Sequence, residues 1–116
     1  MRKNAIEEQS KCFALKIIKL AQDLERKNQY ILARQILRSG TSIGANIAES
    51  VYATSKADFI NKLSISQKEA NETKYWLDLL YGSNLIEVNI YKELMKDVMN
   101  IIRLLAKSII TASDKK

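Results

Sequence analysis

Apolar residues return every three or four positions along almost the whole chain, the period of helices that each turn one face to a core. Ile6, Phe13, Ile17, Leu20, Ala21 and Leu24 share a face and predict a first helix over about 5–27, broken at Asn28. Ala33, Ile36, Leu37, Gly40, Ile43, Gly44, Ile47, Ala48 and Val51 step by three and four without a miss, predicting a second helix over about 30–51. A third, over about 55–81, carries Phe59, Leu63, Ala70, Leu77 and Tyr81 as its stripe. Ser55 can cap its first turn with Asp58 reaching back, and Gly82 offers the left-handed residue that closes a helix. The fourth, over about 89–112, opens on Asn89 as its cap. Its stripe is Ile90, Leu94, Val98, Ile101, Leu105 and Ala112, widened by Met95, Ile102 and Ile109. No strand-like alternation competes, and only the closing SDKK reads as a tail. The expected class is all-α: an antiparallel up-down-up-down four-helix bundle, one domain over 1–116.

The segment RSGTSIGANIAES, Arg38 to Ser50, tests this reading because it holds two of the three glycines of a chain without proline. Each glycine inside a helix costs roughly 1 kcal/mol relative to alanine. Gly40, Gly44 and Ala48, spaced by four, form a small-residue row that lets a neighbouring backbone come close. A phosphate-cradling loop would need a Gly-Lys-Ser/Thr ending or a preceding strand, and neither is present.

Composition narrows the chemistry. With 116 residues and 47% hydrophobic content the chain can bury one core. Lys and Arg number 19 against 13 Asp and Glu, and the resulting net charge of +6 favours an anionic partner, RNA or DNA foremost. The amino-terminal segment lacks the apolar run of a signal peptide and nothing approaches a membrane span, so a cytoplasmic protein is expected. Histidine is absent and Cys12 is the single cysteine. A histidine-dependent di-iron site cannot be assembled, and neither Cys12 nor any Ser or Thr has an evident activating base. Neither catalysis, metal nor cofactor is expected.

QILRSGTSIGANIAES resembles the hallmark segment of a bacterial four-helix-bundle family named for proteins encoded within intervening sequences of 23S ribosomal RNA genes. In that family a Gln-Leu-Arg-Arg-like stretch leads into Ser-Ile-x-x-Asn-Ile-Ala-Glu-Gly, matched here through Ser42, Asn46, Ala48 and Glu49 and the glycines Gly40 and Gly44. Downstream, Ser66, Glu69 and Glu72 resemble its Ser-x-x-Glu-x-x-Glu pattern. Ser50 stands where glycine is usual, and Ser39 where many relatives carry a second arginine. The resemblance implies a homo-oligomeric bundle with an RNA-associated role. A related branch, the accessory variability determinants of diversity-generating retroelements, looks like the same bundle assembled as a pentamer that binds nucleic acid and a reverse transcriptase.

Helical geometry sorts the charges independently of that resemblance. Lys92, Lys96, Arg103 and Lys107 fall in one narrow sector opposite the core stripe of the fourth helix, with Glu93 and Asp97 outside it. They form a basic ladder spanning roughly 22 Å at about 1.5 Å per residue. With Arg34 and Arg38, which point away from the second helix's core stripe, these four are the expected nucleic-acid contacts. On the first helix Lys16, Lys19, Arg26 and Lys27 also cluster around Asp23. Ile65, Trp76 and Leu79 lie off the third helix's stripe, which would leave them outside an isolated bundle and makes them, with Glu69 and Glu72, an expected oligomer interface. Asn46 and Glu49 are expected to bond across subunits. The leading expectation is a non-catalytic oligomeric nucleic-acid-binding bundle. The alternative is an interaction scaffold for a protein such as a polymerase-like enzyme.

Overall fold

The structure, a computed structural model, describes residues 5–114. It contains four helices and no strand among the described residues: α1 Ala5–Arg26, α2 Tyr30–Ser50, α3 Lys56–Gly82 and α4 Val88–Asp114. Each helix packs on the next, and α4 closes back on α1, while the diagonal pairs α1/α3 and α2/α4 do not meet. The result is the expected up-down-up-down bundle, measuring 50 × 23 × 21 Å.

One device closes both odd-numbered helices. Asn28 N–H donates to Glu25 O and Gln29 N–H to Leu24 O, while Asn84 N–H donates to Tyr81 O and Leu85 N–H to Leu80 O. This is the Schellman pattern, with an asparagine in the left-handed conformation each time, φ 63° at Asn28 and 62° at Asn84. Gly82, expected to take that conformation, is instead the last residue of α3, and no glycine has positive φ. At the start of α3, Ser55 Oγ accepts from Asp58 N–H at 3.0 Å. Asp58 Oδ2 accepts in return from Thr54 N–H at 3.2 Å, so the expected cap forms. Asn89 lies inside the first turn of α4 rather than before it. That helix also runs through Asp114, so Ser113 and Asp114 of the expected tail are helical; Lys115 and Lys116 lie outside the described residues.

The core contains the expected large residues, among them Phe13, Ile17, Leu24, Ile36, Ile43, Leu77, Val98, Ile101 and Leu105. Four expected members leave it for one geometrical reason. A step of four residues turns 40° past a full helical turn, so a run of such steps walks off the buried face. Gly40 is buried, Gly44 half-buried and Ala48 exposed; Val51 and Tyr81 are likewise exposed, and Ile90 lies outside Leu94. The positions they vacate go to Ser39 and Ser50 on α2 and to Leu80 on α3.

Small and hydroxyl residues draw the helices together. A Cβ added to Gly40 would lie 2.8 Å from Ile17 Cγ2, and one on Gly44 would lie 3.3 Å from Ser10 Oγ. The two glycines therefore set the α1–α2 approach, as the small-residue reading anticipates. Between α2 and α3, Ser66 Oγ donates to Ile43 O at 2.8 Å and Thr73 Oγ1 to Ser39 Oγ at 2.9 Å. Among the described residues, every buried side-chain nitrogen and oxygen has a hydrogen-bond partner.

Candidate nucleic-acid interface

Each basic residue can be judged by what it already holds inside the chain. Arg38, on α2, pairs with Glu69 Oε1 at 3.3 Å and with Glu72 Oε2, both on α3. The Trp76 indole N–H donates to the same Glu72 oxygen at 3.0 Å. Arg38, Glu69 and Glu72 are therefore one intramolecular clasp over the α2–α3 seam, and their side chains are engaged within the protomer. Trp76 is half-buried against the core and Ile65 is half-buried, whereas Leu79 remains exposed. The placement of Trp76 and Ile65 outside the bundle is thus corrected to half-buried, each beside a buried neighbour in the chain, Leu77 and Ser66.

The α2 motif residues are also satisfied locally. Ser42 Oγ donates to Arg38 O at 2.6 Å and Asn46 Nδ2 to Ser42 O at 2.9 Å, both back along their own helix. Glu49 pairs with Lys62 of α3 at 3.1 Å rather than needing a second subunit.

Three of the four cations clustered on α1 are likewise occupied. Arg26 pairs with Asp23 one turn back, and Lys27 Nζ donates to Leu85 O at 2.8 Å. Lys16 Nζ lies 2.7 Å from Glu93 Oε2 and 2.8 Å from Asp97 Oδ2, tying α1 to α4. The hydrogen bond to Asp97, reinforced by that to Glu93, pushes the Lys16 pKa up to about 12.

The α4 ladder differs. Lys92, Lys96, Arg103 and Lys107 are all exposed, and among the described residues none of them forms an ion pair. Arg103 donates to Asn100 Oδ1 on its own helix. The two acids beside the ladder, Glu93 and Asp97, are the pair that Lys16 bridges from α1. Phosphates approaching this face would therefore meet four available cations beside a pair of carboxylates whose combined charge Lys16 halves.

Arg34 is exposed as well, but it belongs to α2, diagonal to α4. The expected set of six contacts thus splits. The ladder is one continuous face, Arg34 lies on another helix pair, and Arg38 is committed to the clasp.

Sequence reasoning missed an aromatic feature where α3 ends and α4 begins. Tyr81 and Tyr91 stack with ring centroids 4.4 Å apart and planes at 15°. The Tyr91 hydroxyl donates to Asp78 Oδ1 at 2.6 Å, and this bond, with burial second, raises the Tyr91 pKa above its usual value. The pairs Tyr81/Tyr91 and Asp78/Tyr91 cross the α3–α4 connection, which single-helix periodicity does not relate.

Clefts offer less. A groove of about 560 Å³ between α1 and α2 is lined mainly by short side chains, among them Ser10, Ala14, Thr41, Gly44, Ala45 and Ala48. No cluster of three or more metal-ligating side chains occurs among the described residues, and no helix is long and apolar enough to cross a membrane.

The architecture is therefore a small all-α bundle whose distinctive chemistry is a charged outer face. The chain belongs to the 23S rRNA-intervening sequence protein family, whose model matches residues 2–107. Its fold is shared with a crystal structure of a protein of unknown function from the S23 ribosomal protein family of Bacteroides thetaiotaomicron. The two are 45% identical with a TM-score of 0.89, over 90% of this chain and 98% of the other. No curated protein matches the chain. Neither similarity bears on the retroelement branch.

Proposed function

We propose that this protein is a non-catalytic nucleic-acid-binding bundle of the cytoplasm, acting on RNA and using the α4 face as its contact surface. The observation that carries this reading is the division of charge: Lys16 takes up Glu93 and Asp97, while Lys92, Lys96, Arg103 and Lys107 stay exposed without ion pairs. Each phosphate neutralised by such a cation releases counterions, so affinity depends on charge count and falls steeply with salt. The family's association with ribosomal RNA genes supports RNA as the ligand. Assembly into a homo-oligomer would repeat the face and add weak contacts into useful avidity.

The test is a salt titration of affinity for single-stranded RNA, structured RNA and duplex DNA, with the wild type and a Lys96→Glu/Arg103→Glu variant. With up to four phosphates contacted per protomer, the slope of log affinity against log salt should be about −3 to −4 on the duplex and shallower on single strands. Charge reversal should reduce that slope by about 2 and leave the melting temperature unchanged, because both residues are exposed. Equal binding by the reversed variant would remove the ladder as the contact surface. Analytical ultracentrifugation of the same samples tests assembly; a monomer throughout would overturn the oligomeric part of the reading.

A further inference from the structure

The up-down-up-down course brings the end of α3 and the start of α4 together, at the same place where the ladder begins. Tyr91 is half-buried against the core, and its hydroxyl is fixed by Asp78, so its ring is held from two sides. Tyr81 lies parallel to it at 4.4 Å, yet remains 40% exposed, and its hydroxyl has no hydrogen-bond partner among the described residues. A stack serving only to close the α3–α4 corner gains most by burying both rings, since apolar area removed from water is what stabilises it. Here one ring is anchored and the other is presented. Lys92, the residue after Tyr91, is the first rung of the ladder.

We propose that Tyr81 is a base-stacking platform, and that the ligand of the α4 face is single-stranded nucleic acid. One unpaired base lies on Tyr81 while the phosphates that follow track Lys92, Lys96, Arg103 and Lys107. This rests on the nucleic-acid reading above and makes it narrower. Tyr91, pinned beneath, keeps Tyr81 oriented before the ligand arrives, which reduces the ordering cost of binding. Every base has a π-face, so recognition tolerates any sequence but requires an unpaired base, which duplexes do not offer. Asp78 is the acid nearest in the network, and its Oδ1 is occupied by the Tyr91 hydroxyl.

The experiment uses the full chain with a 12-nucleotide single-stranded RNA bearing 2-aminopurine at successive positions, and a duplex of equal length. Wild type should quench the fluorescence at one register, and Tyr81→Phe and Tyr81→Trp should retain the quench. Tyr81→Ala should abolish it and weaken single-strand affinity by about tenfold, the scale of one stacked base. Duplex affinity should not change. An abasic site at the quenched position should weaken the wild type to the same degree and leave Tyr81→Ala unaffected. Tyr81→Leu keeps an apolar contact with Tyr91 and, with melting curves for each variant, separates loss of stacking from loss of fold.

Wild-type quenching and affinity in folded Tyr81→Ala or Tyr81→Leu would overturn the platform. The Lys96→Glu/Arg103→Glu variant keeps the two hypotheses apart. If it binds both ligands as the wild type does, the nucleic-acid reading falls and the platform with it. If it loses both while Tyr81→Ala loses neither, the stacking assignment alone falls.

Discussion

Gly40 faces a β-branched neighbour that cannot yield. Ile17 is fully buried, and an added Cβ would stand 2.8 and 2.9 Å from its Cγ2 and Cγ1, branch atoms stiff about χ1. Gly40→Ala should therefore destabilise the bundle by about 1–3 kcal/mol through overpacking, even though alanine regains up to about 1 kcal/mol of helix propensity. Gly44 differs in what it meets: Ser10 Oγ at 3.3 Å and Ser10 Cβ at 3.5 Å. A shift of a few tenths of an ångström there is small against the propensity gained, so Gly44→Ala should leave stability unchanged or raise it by up to about 1 kcal/mol. Thermal denaturation of the two variants checks the contrast; equal losses would mean that glycine spacing rather than the Ile17 contact sets the α1–α2 distance. The small-residue row was legible in the sequence because four-residue spacing is visible there. Which member touches what was not, because helical geometry turns Ala48 away from Gly40 but does not say which α1 side chain stands opposite each of them.

Between helices, the weakest part of the reading is α3. Its buried line contains Ser66, Ala70 and Thr73, while Tyr75, Leu79 and Tyr81 are exposed, so hydrophobicity alone misplaces its inner face. Hydroxyls can replace apolar groups there because partners on α2 satisfy them, and a partner on another helix leaves no mark in local periodicity. Two helix ends were legible, Ser55 with Asp58 and the break at Asn28, because both are settled by residues close in the chain; Gly82 and Asn89 were misplaced as caps, the left-handed residue after α3 being Asn84. The charged site divided along the same line. The ladder follows from one helix's period, whereas Arg38 with Glu69 spans 31 positions and Lys16 with Asp97 spans 81.

The Lys16 clasp between α1 and α4 carries a pH dependence of definite sign. Its folded pKa, about 12, lies above the ordinary lysine value of 10.5, so its stabilisation is complete below about pH 10.5 and disappears as the pH rises through 12. Tyr91, also raised, loses its stabilising proton in the same alkaline direction. The Lys16 side chain is 43% exposed, and solvent screening holds the clasp to less than about 1 kcal/mol. Urea unfolding of wild type and Lys16→Met should therefore differ by a small constant amount near neutral pH, and the difference should vanish toward pH 12. A difference that persists there would assign the loss to packing of the lysine stem.

At the scale of the whole molecule, the proposed nucleic-acid contact gives the clasp a second consequence besides closure. With Lys16 in place, the group it forms with Glu93 and Asp97 carries one net negative charge beside Lys92 and Lys96; without it, the two carboxylates carry two. Unit charges about 8–10 Å apart interact by about 0.5 kcal/mol at the dielectric of water and by about 2 kcal/mol at an effective dielectric of about 20, before salt screening reduces both. Lys16→Met should accordingly weaken nucleic-acid binding about two- to fivefold at low salt, with less effect as ionic strength shortens the Debye length. The triple variant Lys16→Met/Glu93→Gln/Asp97→Asn removes the clasp and its acids together and should restore wild-type affinity or exceed it, although it closes α1 on α4 no better than Lys16→Met. That opposition between stability and affinity is the informative outcome, since a ladder that worked only when the α1–α4 seam was shut would lose affinity in both variants alike. Recovery in the triple variant would show that the bundle uses α1 to offset part of the acidic charge of α4, leaving an outer helix face positive enough to hold a phosphate backbone.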